Sequence, residues 1–287
     1  MSRAPVVSFF AYGVAKNWVA GKTVADALRE AEVANAKGFG AILNYLGEEI
    51  RSPAEVRASV DEYKRLAGFL PKRGIRGCIS IKPSQIGLNL GESVFRRNLA
   101  EIVEFADELG VFVWVDMEGS SFTEATLDVY CSLFSRWKGL GVCVQSYLKR
   151  SKSDVERLVG VGGKIRLVKG AYNEAASVAY KSKVEVDTNF ARLMEYLFRN
   201  SRSLFSVSTH DDALVRLAVR LNKKYKRDFE FGFLKGIRDK LKLELMREGF
   251  RVTEYIPYGT NWLPYSIRRI REKPSNVLLL ARSLINR

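Results

Sequence analysis

The stretch SVFRRNLAEIVEFADELGVFVWVDME, residues 93–118, decides the fold. Apolar residues in its first part cluster on one side of a 3.6-residue period, which predicts an amphipathic helix over Ser93–Leu109. A near-continuous apolar run, Val111–Val115, follows after one glycine and ends at the acidic residues Asp116 and Glu118. Short apolar strands that alternate with longer amphipathic helices indicate a parallel sheet.

The same strand-and-helix unit recurs along the chain. We predict eight strands, at Ala41–Leu46, Cys78–Ile81, Val111–Val115, Val142–Tyr147, Lys164–Val168, Leu204–Thr209, Phe229–Phe233 and Arg251–Tyr255. The predicted helices cover or lie within Pro53–Gly68, Ser93–Leu109, Thr123–Lys138, Lys152–Val159, Asn189–Arg199, Asp211–Asn222, Asp239–Glu248 and Tyr265–Glu272.

Eight such units fit a (β/α)8 TIM-type barrel of about 250 residues. We therefore predict one barrel domain over residues 41–287, with residues 1–40 as an N-terminal helical segment packed on it. An open doubly wound sheet is the alternative, but no G-x-G-x-x-G follows the first strand. A phosphate-binding G-x-x-x-x-G-K-[ST] loop is also absent.

Net charge, cysteine content and the length of apolar runs limit the kinds of partner and the cellular compartment that fit this protein. The 287 residues carry a formal net charge of +15, which indicates either an anionic partner or a solvated basic face. Three cysteines without a C-x-x-C pair fit a reduced compartment better than a disulfide framework. The cysteine usage therefore leads us to expect a cytoplasmic protein, and no apolar run approaches the ~20 residues of a membrane helix.

Ionisable and polar residues mark nearly every predicted strand end. The active site of such a barrel lies at the carboxyl ends of its strands, where clustered charges need a ligand or a counter-charge. The strand-end set is Glu48, Lys82, Asp116, Gln145, Arg166, Lys169, Thr209, His210 and Tyr255, and the last predicted helix adds Arg268, Arg269 and Glu272.

Several kinds of chemistry remain open for this set. The adjacent Arg268 and Arg269 can bind a carboxylate or phosphate in two-point fashion, or they can form a surface basic pair. Lys82 and Lys169 are candidate Schiff-base lysines or plain cations. His210 is the one histidine, so no metal site is expected, and no nucleophile elbow surrounds a serine. Cys143 lies within a strand, which favours a core position over a nucleophile.

The strand-end motifs resemble those of the proline dehydrogenase family, FAD-dependent barrel enzymes of proline catabolism. The matching blocks follow the family's order from about residue 40 to residue 275. They are NYLGE (44–48), SIKPS (80–84), VWVDME (113–118), VQSY (144–147), RLVKGAY (166–172), STHD (208–211), FEF (229–231), YIPYG (255–259) and the segment 265–272 with its paired arginines.

The resemblance implies oxidation of L-proline to Δ1-pyrroline-5-carboxylate by hydride transfer to FAD, the first step of proline degradation to glutamate. It implies catalytic roles for Asp116 and Arg166, and a gate at Glu48 that pairs with Arg268 when the site is empty. The implied substrate-binding residues are Lys82, Leu234, Tyr255, Arg268, Arg269 and Glu272. The implied FAD-binding residues are Met117, Gln145, Arg166, Lys169, Gly170, Ala171, Tyr172, Thr209 and His210.

Two residues depart from the family's pattern. Gly232 follows Phe-Glu-Phe where related sequences usually have Gln, and Asn173 replaces a Trp that often follows Gly-Ala-Tyr. The chain resembles the monofunctional form, for which a quinone is the implied electron acceptor and peripheral contact with the inner face of the cell membrane is compatible with the basic charge. We expect no nucleic-acid partner and no obligate protein partner.

Two other functions compete with this interpretation. One is a Schiff-base barrel of the aldolase kind that uses Lys82 or Lys169. The other is a non-enzymatic scaffold for nucleic acid, suggested by the net charge and the basic run over residues 223–227. Flavin absorbance would count against the first alternative, and salt-sensitive binding without a cofactor would support the second.

Overall fold

The computed structural model describes residues 17–263, 265 and 266. Eight parallel strands form a closed barrel in which each strand pairs with its neighbours in sequence and the first pairs with the last. They are β1 (Gly40–Tyr45), β2 (Gly77–Ile81), β3 (Val113–Val115), β4 (Leu140–Gln145), β5 (Lys164–Val168), β6 (Phe205–Ser208), β7 (Phe229–Leu234) and β8 (Arg251–Tyr258). The predicted TIM-type fold is confirmed.

Helices follow the strands around the outside of the barrel. In the described part of the chain they are α1 (Val24–Ala36), α2 (Pro53–Lys72), α3 (Glu92–Glu108), α4 (Ser120–Phe134), α5 (Ser151–Gly160), α6 (Lys183–Asn200), α7 (Asp212–Tyr225) and α8 (Asp239–Arg247). Two short 3-10 helices, Pro83–Ile86 and Leu88–Leu90, lie between β2 and α3.

The strands alternate between an apolar outer face and a polar inner face. In β2, Ile79 and Ile81 are fully buried in the apolar core, whereas Ser80 between them points into the barrel and bonds side chains of other strands. The inner face of β5 carries Arg166 next to Cys143 of β4 in the strand register. The barrel interior is therefore a place where charged groups can meet.

Seven of the eight strands differ from their predicted bounds by one to three residues at one or both ends, and two of these differences have a clear structural cause. Strand β8 continues to Tyr258, three residues beyond the predicted end, because Asn44 and the backbone of Leu46 pair with this stretch. Tyr255 therefore lies inside the strand and not at its end. Strand β3 begins at Val113, because the Val111 amide donates to the Ala106 carbonyl in the turn that ends α3.

Side-chain caps fix the helices that begin near the barrel mouth. Ser182 and Glu185 form a capping box at the start of α6, and this cap places the helix start upstream of the predicted Asn189. Asp211 caps α7 by accepting hydrogen bonds from the Ala213 and Leu214 amides. The loops between these strands and helices are thereby held above the barrel.

The N-terminal part that the structure describes contains α1, which packs on β1 and β8. Residues 1–16 lie outside the described residues, so the division of the chain at residue 40 stays a prediction. Over residues 17–263, 265 and 266, none of the helices is both long and apolar enough to cross a bilayer. The basic run 223–227 covers the last three residues of α7 and the two residues after it, at the end of the barrel opposite the mouth.

Candidate active site at the mouth of the barrel

A cavity of about 1360 Å³ opens at the carboxyl ends of the strands. This volume exceeds that of a typical single-ligand pocket, so the cavity has room for a large cofactor together with a small substrate. Thirteen predicted site residues line it: Lys82, Asp116, Met117, Gln145, Arg166, Lys169, Gly170, Ala171, Tyr172, Thr209, His210, Leu234 and Tyr255.

Asp116 is the centre of a buried network. Its Oδ1 atom accepts a hydrogen bond from Ser80 Oγ at 2.6 Å and pairs with Arg166. Its Oδ2 atom accepts from Tyr255 Oη at 2.7 Å and lies 3.4 Å from Lys82 Nζ. Burial by itself raises the pKa of Asp116, but the two cations and the hydroxyl donors lower it overall. The carboxylate therefore stays ionised at neutral pH.

Arg166 lies in the middle of β5, deeper in the barrel than the strand-end position predicted for it. Its Nη2 atom donates to Ser80 and Asp116, and its Nε atom donates to Cys143 Sγ at 2.9 Å. The Tyr255 ring centre lies 5.2 Å from the guanidinium carbon. The Nη1 atom of Arg166 is buried without a hydrogen-bond partner in the structure. A buried donor of this kind is costly unless a ligand satisfies it.

Lys82 follows β2 and is held between two carboxylates. Its Nζ atom lies 3.3 Å from Glu48 Oε1 and 3.4 Å from Asp116 Oδ2. Burial by itself lowers the pKa of Lys82, but nearby tyrosine hydroxyls and both carboxylates favour the charged form and raise the pKa overall. Lys82 is therefore a permanent cation, suited to binding an anionic group.

Leu234 and His210 are joined through the backbone. The Leu234 amide donates to His210 Nε2 at 3.0 Å, so this ring nitrogen acts as an acceptor and carries no proton. Leu234 ends β7 and pairs in register with Tyr255 of β8. The apolar side chain and the tyrosine ring thus lie next to each other on one wall of the cavity.

Four charged residues form a cluster on the lining of the cavity. Lys169 pairs with Asp187 and, at 3.1 Å, with Asp211; Lys183 pairs with the same two carboxylates. This charged quartet joins the loop after β5 to the starts of α6 and α7. The two lysine hydrogen bonds outweigh burial and lower the pKa of Asp211.

Gly170 is required by both backbone and neighbour. Its φ angle of 107° lies in the left-handed region, and a Cβ atom there would be 2.2 Å from Tyr147 Cδ1. The space above Gly170 is thus filled by the Tyr147 ring.

Gln145 ends β4 and Met117 lies just after β3, and both residues line the cavity. Gln145 Nε2 donates to the Glu118 carbonyl at 2.8 Å, which fixes the side chain at the cavity wall. The Glu118 carboxylate accepts hydrogen bonds from the Ser84 amide at 2.6 Å and from the Ser84 hydroxyl at 2.7 Å. Burial raises the pKa of Glu118.

The structure brings together most of the predicted site. Glu48 is near it through Lys82, while Arg268, Arg269 and Glu272 lie outside the described residues. Two contributors were missed, Ser80 and Trp18. Ser80 precedes Lys82 by two residues, so strand alternation could have placed it on the same face. Trp18 lines the cavity and donates to Ser266 Oγ at 3.2 Å, a pairing across 248 positions that no local pattern reveals.

The Cys143 side chain lies between the apolar core and the cavity. As predicted it belongs to the apolar core, and burial raises the pKa of its thiol to about 12, which argues against a nucleophile. It also lines the cavity and accepts a hydrogen bond from Arg166. The thiol is therefore part of the support for the guanidinium.

The described ionic groups at the base of the cavity balance each other. Two cations, Lys82 and Arg166, face two carboxylates, Asp116 and Glu48. Lys82 and Arg166 both keep their charge, and the Nη1 group of Arg166 remains available as a hydrogen-bond donor. This arrangement can orient an anionic substrate group and stabilise negative charge that develops nearby.

Comparison with known proteins agrees with this geometry. A sequence model described as proline dehydrogenase matches residues 27–282. Proline dehydrogenase 1 of Bacillus subtilis subsp. natto is 34% identical over 283 residues, covering 96% of this chain and 93% of that protein. Proline dehydrogenase of Deinococcus radiodurans is 34% identical over 282 residues, covering 96% of this chain and 91% of that protein.

A solved structure has the same fold. It is proline utilization A of Bdellovibrio bacteriovorus inactivated by N-propargylglycine, which superposes with a TM-score of 0.85 at 23% identity. The alignment covers 93% of this chain but 33% of that longer protein, so it supports the fold alone. The barrel and the two relatives of similar length lead to one conclusion: this chain belongs to the proline dehydrogenase family.

Proposed function

We propose that this chain oxidises L-proline to Δ1-pyrroline-5-carboxylate by transferring a hydride from the substrate ring to FAD. The observation that carries the proposal is the buried network around Asp116, which places Lys82, Arg166 and Tyr255 at the base of one large cavity. Membership of the proline dehydrogenase family supports the same reaction and the same substrate.

The substrate carboxylate requires a cationic site. Lys82 supplies one fixed positive charge, and we propose that Arg268 and Arg269 complete a carboxylate clamp on the segment beyond Ser266. Glu272 is proposed to face the substrate amine. Such a clamp fixes the distance between the substrate ring and the oxidant, which is a positioning effect.

The apolar ring of proline needs an apolar surface. Leu234 and the Tyr255 ring form one wall of the cavity, and the Tyr255 hydroxyl is held by Asp116 at 2.7 Å. Burial, and then the neighbouring Asp116 carboxylate, raise the pKa of the Tyr255 hydroxyl, so it remains protonated. Tyr255 therefore acts by shape and orientation.

Hydride transfer leaves a cationic C=N bond on the substrate, so the substrate must enter the step with a neutral amine. Asp116 is a poor base for removing the amine proton, because its pKa is lowered and all its near partners are donors. Its proposed role is to hold Lys82, Arg166 and Tyr255 in place. The network thus keeps its charges while the substrate nitrogen changes protonation state.

The residues at this site fit a flavin dinucleotide. The cavity volume of about 1360 Å³ suits a dinucleotide beside a small amino acid. The partnerless Nη1 atom of Arg166 is a buried donor at the cavity wall, as an electron-accepting ring requires. When bound, FAD would supply the hydride acceptor.

Further residues on the cavity wall would hold the cofactor. They are Met117, Gln145, Lys169, Gly170, Ala171, Tyr172, Thr209 and His210, all of which line the cavity. Gly232 and Asn173 also line it, at the two positions where the sequence departs from its relatives. Glu48 is proposed as the gate residue, and its 3.3 Å approach to Lys82 keeps it beside the substrate-binding cations.

A Schiff-base mechanism is less compatible with this site. A nucleophilic lysine must lose its proton near neutral pH, which requires a lowered pKa. Lys82 has two carboxylate neighbours and a raised pKa, so it favours ion pairing over nucleophilic attack. Lys169 is likewise engaged by two carboxylates in the charged quartet.

A quinone is the proposed electron acceptor. The net charge of +15 would favour peripheral contact with anionic lipid, where quinones are found. We propose that the chain works in the cytoplasm at the inner face of the cell membrane.

The reaction can be tested by product formation. The purified chain, loaded with FAD, is incubated with L-proline and an artificial electron acceptor, and Δ1-pyrroline-5-carboxylate is quantified by mass spectrometry. D-proline is the control, because a clamp that fixes the position of the substrate carboxylate should discriminate between the two enantiomers. Formation of the product from L-proline alone supports the proposal. Absence of product, together with borohydride trapping of a carbonyl compound on Lys82, would replace it with the Schiff-base mechanism.

A further inference from the structure

Gly232 of β7 pairs in register with Ser208 of β6, and both residues line the cavity. A Cβ atom at position 232 would lie 2.2 Å from Ser208 Oγ and 3.2 Å from Ser206 Oγ. The φ angle of Gly232 is outside the left-handed region, so the backbone conformation does not demand glycine. The absence of a side chain at 232 makes room for the Ser208 hydroxyl.

The Ser208 hydroxyl is the upper end of a short hydrogen-bonded chain. Its Oγ atom lies 3.1 Å from Ser206 Oγ, and Ser206, which is fully buried, is hydrogen-bonded to the carboxyl group of Glu230. When Glu230 is ionised, Ser206 must donate to it and Ser208 must donate to Ser206. The lone pairs of Ser208 then face the cavity as an acceptor for a ligand.

We propose that Ser208 binds the polar edge of the flavin ring, using the space that Gly232 leaves open and the orientation that Ser206 imposes. The inference rests on the proposed function, because FAD defines the ligand. An isoalloxazine ring carries N–H and carbonyl groups along one edge, and such groups need partners when buried. Ser208 immediately precedes Thr209 and His210, which the proposed function assigns to FAD.

Two variants test the assignment by FAD affinity. Ser208→Ala removes the hydroxyl, and one lost hydrogen bond of this kind weakens binding by up to about tenfold. Gly232→Ala leaves the hydroxyl in the chain but drives it out of its position, since the new Cβ would overlap Ser208 Oγ. Both variants should therefore raise the FAD dissociation constant to a similar degree, measured by titrating flavin-free protein with FAD.

The double variant Ser208→Ala/Gly232→Ala tests whether the two substitutions weaken FAD binding through the same hydroxyl or through separate effects. If both changes act through the same hydroxyl, the double variant binds FAD about as weakly as Ser208→Ala, because the effects are not additive. Its melting temperature should recover relative to Gly232→Ala, because the overlap with Ser208 Oγ is gone. Ser135→Ala, at an exposed serine after α4 whose hydroxyl bonds the Ser132 carbonyl, is the matched control.

An unchanged FAD dissociation constant in Ser208→Ala would overturn the inference, as would losses that multiply in the double variant. If Gly232→Ala fails to fold, Ser208→Ala and Ser206→Ala test the inference instead. Ser206→Ala removes the group that orients the Ser208 hydroxyl and adds no atoms to the cavity, so it should also raise the FAD dissociation constant. Wild-type protein that binds no FAD would instead overturn the proposed function. The two failures are thereby distinguishable.

Discussion

Replacing Asp116 with Asn removes the charge at the centre of the network while keeping the shape of the side chain. Asn keeps one acceptor oxygen, so it can accept from Ser80 or from Tyr255 but not from both, because these hydroxyls approach different carboxylate oxygens, at 2.6 Å and 2.7 Å. It leaves the buried cations Lys82 and Arg166 without their shared carboxylate. The variant therefore removes the ionic contribution of Asp116 together with one of its two hydroxyl acceptors.

The magnitude follows from burial. Breaking a buried ion pair by removing one partner costs about 3–5 kcal/mol of unfolding free energy. Since Asn preserves one of the two acceptor oxygens, we expect the middle of this range, about 4 kcal/mol, or roughly 8 °C in melting temperature. The catalytic loss should be larger. A displaced Lys82 or Arg166 misorients the substrate, and misplacement of about 1 Å can lower the rate about 100-fold.

Steady-state kinetics across pH provide the assay. We expect kcat/KM for L-proline to fall about 100-fold in Asp116→Asn. The pKa of Lys82 should also fall, because burial lowers it and Asp116 is one of the charges that raise it. The alkaline limb of the kcat/KM profile should therefore move to lower pH.

Glu118→Gln is the matched control. Glu118 is buried nearby and its carboxylate bonds the Ser84 amide and hydroxyl; burial raises its pKa although the more distant Lys82 lowers it, so loss of its charge should disturb Lys82 much less than loss of the Asp116 charge. Its kcat/KM should stay near the wild-type value. If Asp116→Asn kept normal kcat/KM while its melting temperature collapsed, the network would be structural and the reasoning above would be refuted.

Three further predictions concern other parts of the site. Arg268→Ala should lower kcat/KM for proline severely while FAD stays bound, as flavin absorbance of the purified variant checks; unaltered proline oxidation would remove the clamp. Gly170→Ala should destabilise the protein by about 1–3 kcal/mol, because its φ is 107° and the added Cβ meets the Tyr147 ring; urea denaturation measures this, and an unchanged midpoint contradicts it. Asp211 has a lowered pKa, so its ion pairs stabilise the fold above a pH of about 4 and are lost as pH falls further. The melting-temperature gap between wild type and Asp211→Asn should thus shrink on acidification, and a gap that widens would reverse the assigned sign.

The barrel was predictable because its strands are short apolar runs that lie between amphipathic helices. Strand β5, Lys164–Val168, is found with the predicted bounds. Bounds that depend on distant partners were missed. Strand β8 continues through Pro257 because the Pro257 carbonyl accepts a hydrogen bond from the Ala20 amide and Asn44 of β1 lies opposite Pro257 in the register. Propensity alone ends the strand earlier, since proline cannot donate to a sheet.

The candidate site was predictable as a list of residues but not as a network. Strand-end position identified Lys82 and Asp116, whose separation of 34 positions gives no hint that they lie 3.4 Å apart. Arg166 was assigned to the same region, but its burial and its bond to Cys143 depend on the strand register. The role of Ser80 arises in the same way. Contacts across the barrel interior are set by closure of the sheet, which single-sequence patterns do not encode.

The central claim is that this cavity brings L-proline against FAD. The direct test is the visible spectrum of the FAD-loaded chain under anaerobic conditions, before and after L-proline is added. The account predicts flavin absorbance in the starting protein and its bleaching on addition of L-proline. A protein that stays colourless after loading with FAD, or one whose flavin bands persist in the presence of L-proline, would contradict it.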